Sequence, residues 1–131
     1  MRVCRKTRRR YQKVSEKCRI LVVEDQPLVA ETIASALGDD YDVVCGGSAA
    51  DALEVLERGT SDLVLLDCVL PGGGAADVIA LADRQGVPVV LMSGDIERID
   101  ALRDGTRPFL AKPFSMDALL ETTRNALPRC R

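Results

Sequence analysis

The chain has 131 residues, of which 47% are apolar and only 3% aromatic, and its formal net charge is −2. That is one domain's length with enough aliphatic side chains for a core, which excludes disorder as the general state. No apolar run approaches the roughly 20 residues that span a bilayer, and the basic first residues lead into no apolar stretch, so neither membrane insertion nor a secretory signal is expected and a cytoplasmic location follows.

The net charge hides an uneven distribution. Residues 1–19 carry nine Lys or Arg against one acid, and the remainder carries nine against nineteen acids. Residues 1–17 show no periodicity; the plain reading is a disordered tail or a start codon placed too far upstream. The sharper reading is an anionic partner, nucleic acid or a membrane surface, reached only through this basic tail. The five cysteines (Cys4, Cys18, Cys45, Cys68, Cys130) are odd in number and form no C-x-x-C pair, which argues against a zinc site or a disulfide framework. Cys18, Cys45 and Cys68 fall in or beside strand-like runs, as small apolar side chains do. Histidine is absent, so imidazole catalysis, imidazole metal ligands and phosphohistidine within this chain are excluded.

From residue 19 the pattern alternates. Arg19–Val23 reads as a strand, and Pro27 suits a first helical turn before Val29, Ile33, Ala36 and Leu37 recur at helical spacing up to Gly38. Tyr41–Cys45 is a second strand. Ser48 is a candidate N-cap with Asp51 as its capping-box acid, and Ala52, Leu53, Val55 and Leu56 follow until Gly59. Asp62–Leu66 is a third strand, Pro71-Gly72-Gly73-Gly74 a loop, and Val78, Ile79 and Ala82 mark a third helix stopped at Gly86. Val87–Met92 is a fourth strand with Pro88 near its start. Ile96, Ile99 and Leu102 give a short fourth helix ending at Gly105, and Arg107–Ala111 is a fifth strand. Ser115 caps a last helix, with Phe114 placed to staple onto Leu119, which ends before Pro128. Five strand–helix units in strict alternation give an α/β fold, a doubly wound parallel sheet covered on both faces.

In such a sheet ligands bind beyond the carboxyl ends of the strands. Glu24 and Asp25 end the first strand, Asp67 the third and Ser93 the fourth, and the fifth leads to Lys112. Three carboxylates crowded together repel unless a cation joins them. Mg²⁺ takes oxygen ligands, few of them carboxylates, with water and phosphate completing its octahedron. Acids for a hard cation, a carboxylate nucleophile, a hydroxyl and an ammonium together suit phosphoryl transfer onto a carboxylate.

On these residues the chain resembles the receiver domain of two-component response regulators. The resemblance covers about residues 18–128 and rests on Glu24-Asp25, on Asp67 with Pro71 four residues later, on Ser93-Gly94 and on Lys112-Pro113-Phe114. It implies a (βα)₅, flavodoxin-like sheet of order 2-1-3-4-5. It further implies Asp67 as phosphoacceptor, and Asp25, Asp67 and the backbone carbonyl of Val69 as Mg²⁺ ligands, with Glu24 reaching the metal through water. The resemblance likewise implies Ser93 as the hydroxyl that meets the phosphoryl group, Lys112 as the ammonium that pairs with Asp67 or its phosphoryl oxygens, Phe109 as the aromatic switch, and a cis bond before Pro113. The implied function is that of a signalling protein, not an enzyme beyond its own phosphorylation and dephosphorylation. Its phosphate comes from a histidine kinase or a histidine phosphotransfer protein, and its output is partner binding or onward transfer.

Some features depart from that pattern. The interval from Ser93 to Lys112 is nineteen residues, short for a receiver, so the fourth helix is short or partly unwound. Ala75 stands where many receivers carry glycine. The Ser93-Gly94 strand end and the shortened fourth helix resemble a group of stand-alone bacterial receivers best known in alphaproteobacteria, with a remodelled partner surface. The chain ends four residues past the last helix, which leads to the expectation of a stand-alone receiver. Two alternatives stay open: an aspartyl-phosphate phosphatase of the haloacid dehalogenase kind, which needs a second Asp where Val69 stands, and a receiver-like module that no longer uses phosphate. Val69 offers no polar group to orient an attacking water, so slow phosphate loss is expected, with Asp95 as a partial substitute.

Overall fold

A computed structural model describes residues 17–127. The expected tail up to Glu16, Cys4, Cys130 and the stop at Pro128 lie outside them. The elements run in chain order as β1 (Arg19–Val23), α1 (Pro27–Leu37), β2 (Asp42–Gly46), α2 (Ala49–Glu57), β3 (Leu63–Asp67), α3 (Ala75–Gln85), β4 (Val89–Ser93), α4 (Ile96–Arg103), β5 (Phe109–Ala111) and α5 (Met116–Ala126). The five strands form one sheet of order β2-β1-β3-β4-β5, every adjacent pair parallel.

The two-residue alternation of strand side chains divides the core in two. Leu21, Val23, Val64, Leu66, Val89 and Leu91 face a layer built from α2, α3 and Ile99 of α4. Ile20, Val22, Leu63, Leu65, Val90 and Met92 face the other side, against α1 and Leu119 of α5. The central strands are therefore apolar at successive positions, as a sheet buried on both faces requires.

Four strands begin one or two residues later than the sequence pattern implies, for local reasons. Tyr41 is buried, but its N–H returns to Leu37 O at 2.9 Å, so the ladder opens at Asp42. The Asp62 carboxylate accepts from Arg19 N at 2.8 Å, so its side chain, not a ladder pair, ties it to the start of β1, and β3 opens at Leu63. Val87 N–H goes back to Ala82 O as part of the α3 cap, and Pro88 has no donor, so β4 opens at Val89. Arg107 N–H returns to Arg103 O and Pro108 has no donor either, which leaves β5 three residues.

The caps follow the sequence with one change. Ser48 Oγ accepts from Asp51 N, but the Asp51 carboxylate accepts from Gly47 N rather than closing a capping box on Ser48. Ser115 Oγ accepts from Ala118 N, and Phe114 packs against the cluster that holds Leu119. The loop after β3 ends at Gly74, which has φ +96° and serves as the α3 N-cap. A Cβ there would lie 2.5 Å from the Ala49 Cβ at the start of α2, so glycine is needed for both backbone and space. Cys18 is buried as expected but is disulfide-bonded rather than a free thiol, a link that sequence spacing alone does not reveal.

Leu66 is fully buried on the central strand. Leu66→Ala is expected to lower stability to urea by about 2–5 kcal/mol. Val44→Ala, on the edge strand at a 43% exposed position, should change it by less than about 0.5 kcal/mol. Equal midpoints for the two variants would contradict the assigned core.

Candidate functional site

The parallel register brings the carboxyl ends of the strands level. Val23 pairs with Leu66, Asp67 with Met92, and Ser93 with Ala111. The first residues beyond the ladder stay tied to it: Glu24 N donates to Gly46 O at 3.0 Å and Lys112 N to Ser93 O at 2.8 Å. Side chains from β1, β3, β4 and the loop after β5 therefore gather at one edge.

Lys112 holds that edge together. Its Nζ lies 2.6 Å from Glu24 Oε1 and 3.2 Å from Asp67 Oδ2. The sequence reading pairs Lys112 with Asp67; the nearer partner is Glu24, which is 3% exposed. Burial pushes the Glu24 carboxyl above its usual range, against the opposing hydrogen bond from Lys112. Burial by itself would lower Lys112, but the Glu24 hydrogen bond and the charge of Asp67 outweigh it and raise the ammonium above its ordinary value. Lys112 thus stays charged throughout the neutral range. The peptide bond from Lys112 to Pro113 is cis.

The remaining carboxylate oxygens are oriented by backbone. Asp67 Oδ1 accepts from Val69 N at 2.9 Å, and Glu24 Oε2 from Gln26 N at 3.2 Å. Asp25 is exposed beside them. One carboxylate oxygen from each of Glu24, Asp25 and Asp67 falls within 4.8 Å of the other two. Three hard oxygen donors that close, open to solvent on the Asp25 side, fit a small divalent cation that keeps part of its water shell. Cys68, the next residue, is buried and its thiol is pushed up to about 11, by burial and then by the Asp67 charge. It behaves as packing, not as a nucleophile.

Ser93 is buried at the end of β4, and its Oγ accepts from Asp95 N at 3.0 Å, which leaves its O–H to donate. Asp95 is itself occupied: its Oδ1 accepts from Glu97 N at 3.0 Å and caps α4. Val69 is 48% exposed.

Phe109 lies on β5 opposite Leu91, two residues before the Ser93–Ala111 pair, so Phe109 and Ser93 project from the same face of the sheet. The residue is 36% exposed. Arg103, the last residue of α4, places its guanidinium carbon 4.6 Å from the ring centroid. Sequence reasoning missed this contact because a six-residue separation across a helix end and a turn follows neither helical nor strand periodicity. It also missed Glu24 as the closest partner of Lys112, since the two are 88 residues apart.

Among the described residues no helix is long and apolar enough to cross a membrane. A sequence profile described as the response regulator receiver domain matches residues 20–124. The DNA-binding response regulator MtrA of Mycolicibacterium smegmatis is 35% identical over 116 residues, covering 85% of this chain and 51% of that protein. The transcriptional regulatory protein AruR of Pseudomonas aeruginosa is 34% identical over 123 residues, covering 86% of this chain and 50% of its own. The chain thus spans about half the length of the curated relatives it matches. The crystal structure of the NtrX receiver domain from Brucella abortus superposes with a TM-score of 0.73 at 31% identity, over 84% of this chain and 98% of that one. A receiver protein from Sinorhizobium medicae superposes with a TM-score of 0.78 at 24% identity, over 87% and 97%, and that likeness supports the fold alone. With the sheet order, the acidic edge and the profile in agreement, the chain belongs to the response regulator receiver family and is a receiver domain of two-component signalling rather than a conventional enzyme.

Proposed function

We propose that Asp67 is the phosphoacceptor of this receiver and that residues 18–128 form the signalling unit. The observation that carries the reading is the Lys112 ammonium set between Glu24 and Asp67, 2.6 and 3.2 Å from their oxygens. It is a fixed cation beside a carboxylate whose second oxygen is oriented by Val69 N–H.

The donor is a phosphohistidine on a histidine kinase or histidine phosphotransfer protein, since this chain has no histidine of its own. An Asp67 oxygen attacks phosphorus, the P–O bond forms as the P–N bond breaks, and the imidazole leaves with the electron pair. Lys112 stays beside the developing charge, and the Ser93 O–H donates to a phosphoryl oxygen. Asp25, Asp67 and the Val69 carbonyl would hold Mg²⁺, with Glu24 reaching it through water; when bound, the ion neutralises phosphoryl charge. The phosphoryl group then adds charge and acceptors to the sheet edge and shifts the population of the α4–β5–α5 face towards a form that binds a partner or passes phosphate onward. Phe109 is the side chain proposed to report that shift. The phosphatase alternative finds no support at Val69, and the phosphate-independent alternative does not account for the intact acceptor set.

Incubation with Mg²⁺ and acetyl phosphate should add one phosphoryl group, labile to base, and Asp67→Ala should abolish it. Equal labelling of the two proteins would remove Asp67 from the role. Lys112→Met should slow labelling by about 100-fold yet bind Mg²⁺ more tightly by calorimetry, because a cation competing for the same carboxylates is gone; faster labelling or weaker metal binding would contradict the role given to Lys112. The phosphorylated form should persist for minutes or longer, and Val69→Asn should shorten its lifetime several-fold by offering a polar group to a water. A wild-type lifetime of seconds would oppose this.

A further inference from the structure

Phe109 and Ser93 share one face of the sheet, yet Phe109 is 36% exposed. Arg103 lies against its ring. Its guanidinium stacks over the ring at 4.6 Å, and its Nε donates to the Arg107 carbonyl at 2.7 Å. The Arg107 guanidinium in turn makes a two-pronged pair with the Asp83 carboxylate on α3, at 2.9 and 3.0 Å. Arg103 is therefore not a loose surface cation, because its planar group is held by the turn it caps and that turn is anchored to a third element. The turn itself is committed, with Asp104 and Gly105 both in left-handed conformations, φ +56° and +80°. A guanidinium against a ring face is attractive, and a ring that moves out from under it forfeits the contact.

We infer that Arg103 is a positioning residue that latches the Phe109 ring in its partly exposed position, so that any movement of the ring towards the sheet must first break the guanidinium–ring stack. The consequence for signalling rests on the reading of Asp67 and Ser93 above; the latch itself does not. A partly exposed stack of this kind biases a two-state equilibrium by about two- to fivefold.

The chain has only two phenylalanines, Phe109 and Phe114, so ring-labelled phenylalanine gives two sets of resonances, assigned with Phe114→Leu. Mg²⁺ with beryllium trifluoride serves as the phosphoryl probe. In Arg103→Ala without the probe, the Phe109 resonances should move towards their positions in probe-saturated wild type, and half-saturation should fall about two- to fivefold. Arg103→Lys, which keeps a cation but not the flat fork, should lie between. In a Phe109→Leu background, Arg103→Ala should leave half-saturation unchanged. Unmoved Phe109 resonances in Arg103→Ala would overturn the latch, as would the same drop in half-saturation in the Phe109→Leu background. Wild type that never responds to the probe would instead overturn the acceptor reading. Nuclear Overhauser contacts between the Phe109 ring and Leu91, which need no phosphoryl reference, would still decide the latch: stronger in Arg103→Ala than in wild type supports it, and unchanged overturns it.

Discussion

Two carboxylates brought together at the edge of a sheet repel, and in this protein the repulsion is met by a lysine from the loop after β5. Glu24 is nearly inaccessible and Asp67 only slightly less so, so the cost of leaving them without a counter-charge would be far greater than at a surface. Lys112 reaches both, and its own backbone N–H is fixed by Ser93 O. The arrangement is only partly neutralised: one ammonium faces the three carboxylates of Glu24, Asp25 and Asp67. Residual negative charge beside an exposed Asp25 is what gives a small hard cation a reason to bind.

Everything around that pair serves its geometry. The parallel register sets β1, β3 and β4 level, and the two apolar layers lock the strands from both sides. Helix α3 starts at a glycine whose conformation brings the loop after Asp67 against α2. The consequence is an edge whose acidic side chains start from rigid strand ends, while Asp25, Val69 and the glycine loop lie towards solvent.

Much of this was legible in the sequence because it depends on periodicity and punctuation. Runs such as Leu63–Leu66, with glycine stops after the first four helices and Pro128 after the last, fix the number of units, and a carboxylate directly after such a run has to lie at the carboxyl end of the sheet. The starts of strands were less legible because hydrogen-bond donors decide them: Pro88 and Pro108 remove donors, and Tyr41 spends its N–H on α1. Least legible were pairings that depend on where a long side chain ends. Lys112 could be assigned to the acidic cluster from its strand end, but not to Glu24 in preference to Asp67. Arg103 could not be assigned to Phe109 at all, and the Cys18 disulfide carries no local signal.

The brevity of β5 has a mechanical consequence. It lies at the edge of the sheet with one neighbour, has three residues, and is bracketed by Pro108 and Pro113, neither of which can donate to the ladder. Few backbone hydrogen bonds tie it down, so its free energy of local opening is expected to lie well below that of β3, which has a neighbour on each side and is buried throughout. The sheet is in effect stiff through its middle and compliant along one margin. Strain arising at the acidic edge can be relieved along that margin without loosening the central strands that hold the acids in place.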